Sequence, residues 1–213
     1  MGNTGTTRRN SLFTKQDSSS SEVGTTGPGG GGGRKMTITS RQSTLKEEEN
    51  ELGPPPKPLT DEQKSMLVDT WKALENDIAK VGVITFISLF ETHPDVQQVF
   101  MPFNGIELED LKHSKQLRAH ALRVMAFVQK AIARINEPEK LDTLLKDLGR
   151  KHYSYGAKVK YVDLIGPQFI QAIQPSLKDR WNEELHQAWA CLFQFMAYIM
   201  KNAMLQEEAA QKS

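Results

Sequence analysis

A single cysteine, Cys191, stands among the 213 residues, so no intramolecular disulfide can form and the fold must hold by packing alone. Its apolar neighbours suggest core filling in a reducing compartment. Net charge of either sign is also missing. The 27 Lys and Arg against 26 Asp and Glu leave +1, and no basic face or recognised motif offsets that neutrality, which argues against a nucleic-acid partner. No apolar run approaches the roughly 20 residues needed to span a bilayer; Val81 to Phe90 is short and includes Thr85 and Ser88. A charged start followed by an apolar stretch is absent too, so an intracellular location is expected. No Glu or His pair at helical spacing suggests a di-iron or zinc centre. The glycines Gly29 to Gly33 lack the following lysine and the strand-to-helix setting of a nucleotide loop.

What is present falls into two unlike parts. Residues 1–58 carry almost no periodic apolar pattern: Ser18 to Ser21, the glycine run, the acidic Glu47 to Glu49, and Pro54-Pro55-Pro56-Lys57-Pro58. Such a segment buries too little apolar surface to offset its chain entropy, which predicts a disordered arm ending in a stiff polyproline spacer. Pro55 to Pro58 also has PxxP spacing, though a spacer accounts for it.

Residues 59–206 read as helices throughout, with no strand alternation, and residues 207–213 as a short flexible tail. Thr60 and Gln63 form a capping box before a face of Leu67, Trp71, Leu74 and Ile78. A second helix runs from about Val81 to Glu91 and stops before Pro94. A long helix is expected from about Leu111 to Ile135, and Pro138 starts the next, where its missing donor costs nothing. Val162, Ile165, Phe169 and Ile173 mark a helix interrupted by Pro167; Trp181, Leu185, Ala188, Leu192, Phe195 and Ile199 mark the last. Seven to eight such segments make one all-α domain.

Two histidines interrupt this patterning. Leu141, Leu145, Leu148 and His152 fall at offsets 0, 4, 7 and 11, so an imidazole takes the place of a fourth core aliphatic. Leu117, Ala121, Val124, Val128 and Ile132 repeat in the same way, with His120 on the stripe's edge. Either histidine alone fits a core residue bonded to a carbonyl. Two of them, on two apolar stripes, fit a grip on one metal-centred cofactor from opposite sides.

The order Pro94, Phe100, Phe103, His120, Val124, His152, with Trp71 in the first helix, resembles the globin family from about Leu59 to Leu205. Leu148-Gly149-Arg150-Lys151-His152 and the 32-residue interval between the histidines are similar to the neuroglobin-like branch. The long arm beginning Met1-Gly2 brings the resemblance closest to the membrane-tethered globin X. This resemblance implies a globin fold preceded by the arm, and haem held by His152 as proximal and His120 as distal ligand. His152 would donate its other N–H to a carbonyl or hydroxyl. Phe100 and Phe103 would wall the porphyrin, while Phe86 and Val124 line the distal side. Arg123 would reach a propionate at the cleft mouth, with Lys151 as a second candidate and Tyr155 also assigned to the cofactor. No Cys-x-x-Cys-His occurs, which implies non-covalent haem b. His93, His113 and His186 are assigned no iron.

The function implied is reversible O2, NO or CO binding at a bis-histidine, six-coordinate iron, suited to redox signalling, electron transfer or gas sensing. The alternatives are a nitrite reductase or NO dioxygenase with His120 as proton donor, and a pentacoordinate oxygen store or carrier. Any reductant must come from an unidentified partner. At the N-terminus, Gly2 followed by Thr6 fits N-myristoylation. One acyl chain binds membranes only marginally, so Arg8, Arg9 and Lys15 would have to help on an anionic surface, and Ser11 beside them is a candidate phosphorylation switch. Asn3 stands where globin X relatives carry a second acylated cysteine.

Overall fold

The structure is a computed structural model and describes residues 52–212. Gly2, Ser11 and the rest of the arm up to residue 51 lie outside the described residues. Residues 53–59 run without helix into the domain, in keeping with their prolines.

The described residues form eight complete α-helices and no strand. Helix α1 spans Asp61–Leu74 and opens on the expected capping box: Thr60 Oγ1 accepts from the Gln63 amide at 3.2 Å while Gln63 Oε1 accepts from the Thr60 amide at 3.0 Å. It buries Leu67, Trp71 and Leu74, but Ile78 belongs to the next helix, α2 (Ile78–Thr92), because the chain turns at Leu74. Pro94 ends α2 as expected and begins the short α3, Pro94–Val99.

The long helix expected from Leu111 to Ile135 is instead two. Helix α4 covers Leu108–Lys112 and α5 covers Lys115–Ile132. Ser114 has extended backbone and its hydroxyl accepts from the Leu117 amide at 3.3 Å, a cap that restarts the helix. Leu111 continues the apolar rhythm across this break, which is why periodicity alone hides it. Helix α6 runs Pro138–Ser154 with Pro138 in its first turn. A 3₁₀ segment, Val159–Leu164, leads into α7, Ile165–Leu177. Pro167 does not interrupt α7: it stands in the first turn, where backbone amides need no helical partner. Asn182 caps α8, Glu183–Gln211, through Oδ1 at 2.8 Å from the Leu185 amide, leaving Trp181 before the helix. The expected tail at 207–213 is also corrected, since α8 continues to Gln211 and the Tyr153 hydroxyl donates to Gln211 Oε1 at 3.0 Å. No helix of the described residues is long and apolar enough to cross a membrane.

Helix α6 packs along α8, and α2 packs against both α5 and α7. Two apolar clusters result. One joins α1, α5, α6, α7 and α8 around Leu67, Trp71, Leu145, Phe169 and Trp189. The other joins α2 and α3 to the start of α5 through Phe86, Phe90, Phe103, Leu111 and Leu117. Each of these large side chains contributes about 1.5–3 kcal/mol on burial, more than the roughly 1 kcal/mol of a helix cap, so packing rather than capping sets how the helices lie. Val124 and Ile165 pack against both clusters and mark the seam between them.

Two glycines allow close approaches between helices. A Cβ on Gly82 would lie 3.0 Å from Ala121 Cβ, so its absence lets α2 pass tightly over α5. A Cβ on Gly149 would come within 2.4 Å of the Met200 carbonyl oxygen, so α6 meets α8 almost backbone to backbone. Cys191 is half-buried rather than a core residue, with its sulfur 3.8 Å from Gln63 Nε2.

Candidate functional site

His120 lies one residue before the buried Ala121 on α5, so its ring emerges at the edge of the stripe and is half-buried. The tight pass at Gly82 brings α2 over this point, and one turn further along α2 the Phe86 ring meets the imidazole edge-on with 4.8 Å between centroids. Phe100 and Phe103, from the segment after α3, close on the same ring at 5.6 and 5.9 Å. They stack on each other at 6.1 Å with 15° between planes. Three phenylalanines thus surround one imidazole. Phe103 is 1% exposed and Phe86 2%.

That setting strips water from the ring. Burial first, then the Arg123 guanidinium, then His152 push the His120 pKa from its usual 6.5 down to about 4. The imidazole is therefore neutral at physiological pH and holds no stored proton.

His152 occupies the last turn of α6. Its Nδ1 lies 2.9 Å from the Leu148 carbonyl oxygen, and because a carbonyl only accepts, Nδ1 carries the proton and donates it. The other nitrogen, Nε2, is left with its lone pair. Burial lowers the His152 pKa while the Leu148 bond raises it, with burial the larger effect, so this ring too favours its neutral form.

Of the other residues expected here, Arg123 is exposed and points a guanidinium nitrogen at His120 Nδ1, 3.5 Å away. Val124 is half-buried in the seam. Lys151 is exposed and Tyr155 is 78% exposed, so neither contributes to the apolar wall. His93, His113 and His186 belong to other parts of the surface; His186 faces Trp181 and Glu183.

Sequence patterning missed several supports. Gly149, three residues before His152, is visible as a glycine inside a helical pattern, but its purpose shows only against Met200. The Tyr161 hydroxyl donates to the Asp95 carboxylate, which lowers the Asp95 pKa and ties the 3₁₀ segment after α6 to the start of α3. Lys201, buried on α8, reaches Asp163 in that segment at 2.7 Å. No local signal announces either pair, because the partners are distant in sequence.

The arrangement offers two neutral imidazoles, one of them packed among three phenylalanines. Among the described residues no group of three or more His, Cys, Asp and Glu side chains could hold a metal ion. A bare ion would find too few protein ligands here. A metal centre carried by a group with ligands of its own would need few protein donors, and His152 and His120 would be the residues to hold it.

Comparison with known proteins agrees with this architecture. A family model described as Globin matches residues 84–200, which include both histidines and the phenylalanine cage. The cytoglobin-2 of Danio rerio is 28% identical over 139 residues, covering 64% of this chain and 78% of that protein. The neuroglobin of the same organism is 25% identical over 143 residues, covering 67% and 90%. Among solved structures, a hexacoordinated heme protein from an anhydrobiotic tardigrade superposes with a TM-score of 0.65 at 23% identity, covering 70% of this chain and 96% of that one.

Proposed function

The chain belongs to the globin family, and on that premise we propose that it is a haem protein in which His152 is the fixed protein ligand of the iron and His120 an exchangeable second one. The observation that carries this reading is the His152 ring, neutral, desolvated, and committed through Nδ1 so that Nε2 alone remains free. The residues present fit the group: aromatic side chains of Phe86, Phe100 and Phe103, two imidazole donors and, among the described residues, no group of three or more protein ligands. Haem b held without a covalent bond is the form proposed, since the sequence has no Cys-x-x-Cys-His. When bound, haem supplies an iron centre that takes up a diatomic gas reversibly and exchanges an electron.

The protein's part is binding, orientation and exclusion of water. The Leu148 carbonyl fixes the plane of His152, and the phenylalanine cage keeps the distal side dry. His120 competes with any external ligand, so apparent affinity falls by the fraction of molecules in which it has let go. This suits redox signalling, electron transfer or gas sensing with O2, NO or CO better than bulk oxygen carriage. The likeness to neuroglobin and to a tardigrade protein described as hexacoordinated supports six-coordination. One visible spectrum of the ferrous, unliganded protein tests this. A sharp low-spin pattern is expected; a broad high-spin band overturns six-coordination, and the absence of a Soret band overturns the haem reading.

We also propose, on the sequence of residues 2–15 alone, a peripheral location on the inner face of a membrane. Gly2 would carry the acyl chain, with Arg8, Arg9 and Lys15 attracted to anionic lipid. Intact-mass measurement of the protein expressed in animal cells tests it: an unmodified Gly2 removes the claim.

A further inference from the structure

We propose that Lys201 is a positioning residue for His152: from α8 it pins the chain that leaves α6 just after this histidine, so that His152 is held on both sides along the sequence. The buried stripe of α8 runs through Trp189, Leu192, Met196, Met200 and Met204, and a lysine beside Met200 breaks its apolar composition. Among the described residues Lys201 is the one charged residue that is buried. Its Nζ donates to Asp163 Oδ2 at 2.7 Å, while Asp163 itself is exposed. Taking an ammonium out of water is costly, and a methionine at this place would fill similar space without that cost, so the pair adds little net stability. What it supplies is one fixed position for the chain it holds.

That chain begins at His152. Past the end of α6 it reverses at Gly156, whose φ is +76°, and the Ala157 amide folds back to donate to the His152 carbonyl at 3.0 Å. The 3₁₀ segment follows at once and carries Asp163 to Lys201. Before the histidine, Gly149 meets Met200, the residue next to Lys201, at backbone distance. Two consecutive residues of α8 therefore grip the chain before and after His152. Surface contacts of Arg150 with Glu207 and of Tyr153 with Gln211 continue the same alignment of α6 on α8. The Leu148 carbonyl fixes the rotation of the ring, whereas the grip from α8 fixes where its backbone sits. These constraints are separate, so the second can be removed alone.

The consequence for haem rests on the function proposed above; the pin on the chain does not. The test uses the full-length haem-loaded protein as wild type, Lys201→Met and Asp163→Asn. Amide hydrogen exchange is followed by NMR at Ala157, whose bond to the His152 carbonyl reports the held chain, and at Trp71, buried in α1, which reports the domain as a whole. Haem retention is read separately, as the rate of transfer to an excess of a haem-free acceptor globin. Lys201→Met should speed exchange at Ala157 by about five- to thirtyfold, leave Trp71 within about twofold, and raise haem transfer by a factor similar to that at Ala157. Asp163→Asn keeps an acceptor oxygen and should fall between wild type and Lys201→Met; if Lys201→Met does not fold, this variant decides by the same two amides. An unchanged rate at Ala157, or equal acceleration at Ala157 and Trp71, overturns the proposal, as does faster exchange at Ala157 with unchanged haem transfer. If the purified wild type carries no haem, the proposed function fails on its own, and the exchange comparison on the haem-free full chain still decides whether Lys201 pins the chain at His152.

Discussion

His152 donates its Nδ1 proton to the carbonyl of Leu148, four residues earlier on the same helix, across 2.9 Å. The bond uses a backbone acceptor one turn earlier on α6, so orienting the ring requires no further side chain. It also assigns the tautomer, because only Nδ1–H can satisfy that carbonyl.

If this ring is the fixed ligand, His152→Ala should lose haem while keeping its helices. The check is the ratio of Soret to protein absorbance after gel filtration, together with far-ultraviolet circular dichroism. Full haem content in a folded His152→Ala protein would count against the assignment.

His120→Leu should keep haem and bind CO faster than wild type. For a released fraction of about a tenth or less, the expected acceleration is roughly tenfold or more. Flash photolysis gives the association rates directly, and equal rates in the two proteins would refute six-coordination.

The depressed pKa of His120 predicts acid sensitivity with a definite sign. Between about 4 in the folded protein and the usual 6.5 in the unfolded chain, the unfolded state binds the extra proton, so stability rises with pH across that window. The contribution is fully present above 6.5 and is lost as pH falls towards about 4. Denaturant unfolding at several pH values should therefore show a shallower acid slope for His120→Leu than for wild type. Identical slopes would mean that His120 does not titrate as its surroundings require.

Gly149→Ala places a methyl group 2.4 Å from the Met200 carbonyl oxygen and 3.0 Å from Ala203 Cβ. Both neighbours lie on α8, and the nearest atom is backbone, so the helices must separate. A loss of about 1–3 kcal/mol is expected from overpacking, outweighing the better helix propensity of alanine, which is worth about 1 kcal/mol. The denaturation midpoint checks this, and an unchanged or raised midpoint would show that α8 yields without cost. Because His152 is less than one turn from Gly149, the same variant should also hold haem more weakly.

The sequence by itself determined the helical class, the Thr60 cap, the boundary at Pro94, the start of α6 at Pro138 and the pair of histidines on apolar stripes. Those features are local: a cap, a proline or a 3.6-residue period acts within a turn or two and leaves a readable pattern. The same locality explains the errors. Leu111 kept the rhythm going through the break at Ser114, and residues 207–211 lack the apolar pattern that would have shown α8 continuing through them. Only the tertiary structure decided that Phe86, Phe100 and Phe103 converge on His120, that Gly82 and Gly149 set the helix approaches, and that Asp163 and Asp95 find Lys201 and Tyr161. It also decided what each ring meets, a carbonyl beside His152 and a guanidinium beside His120. The identity of a hydrogen-bond partner depends on a few tenths of an ångström between side chains on crossing helices, and no periodicity along one chain encodes that distance.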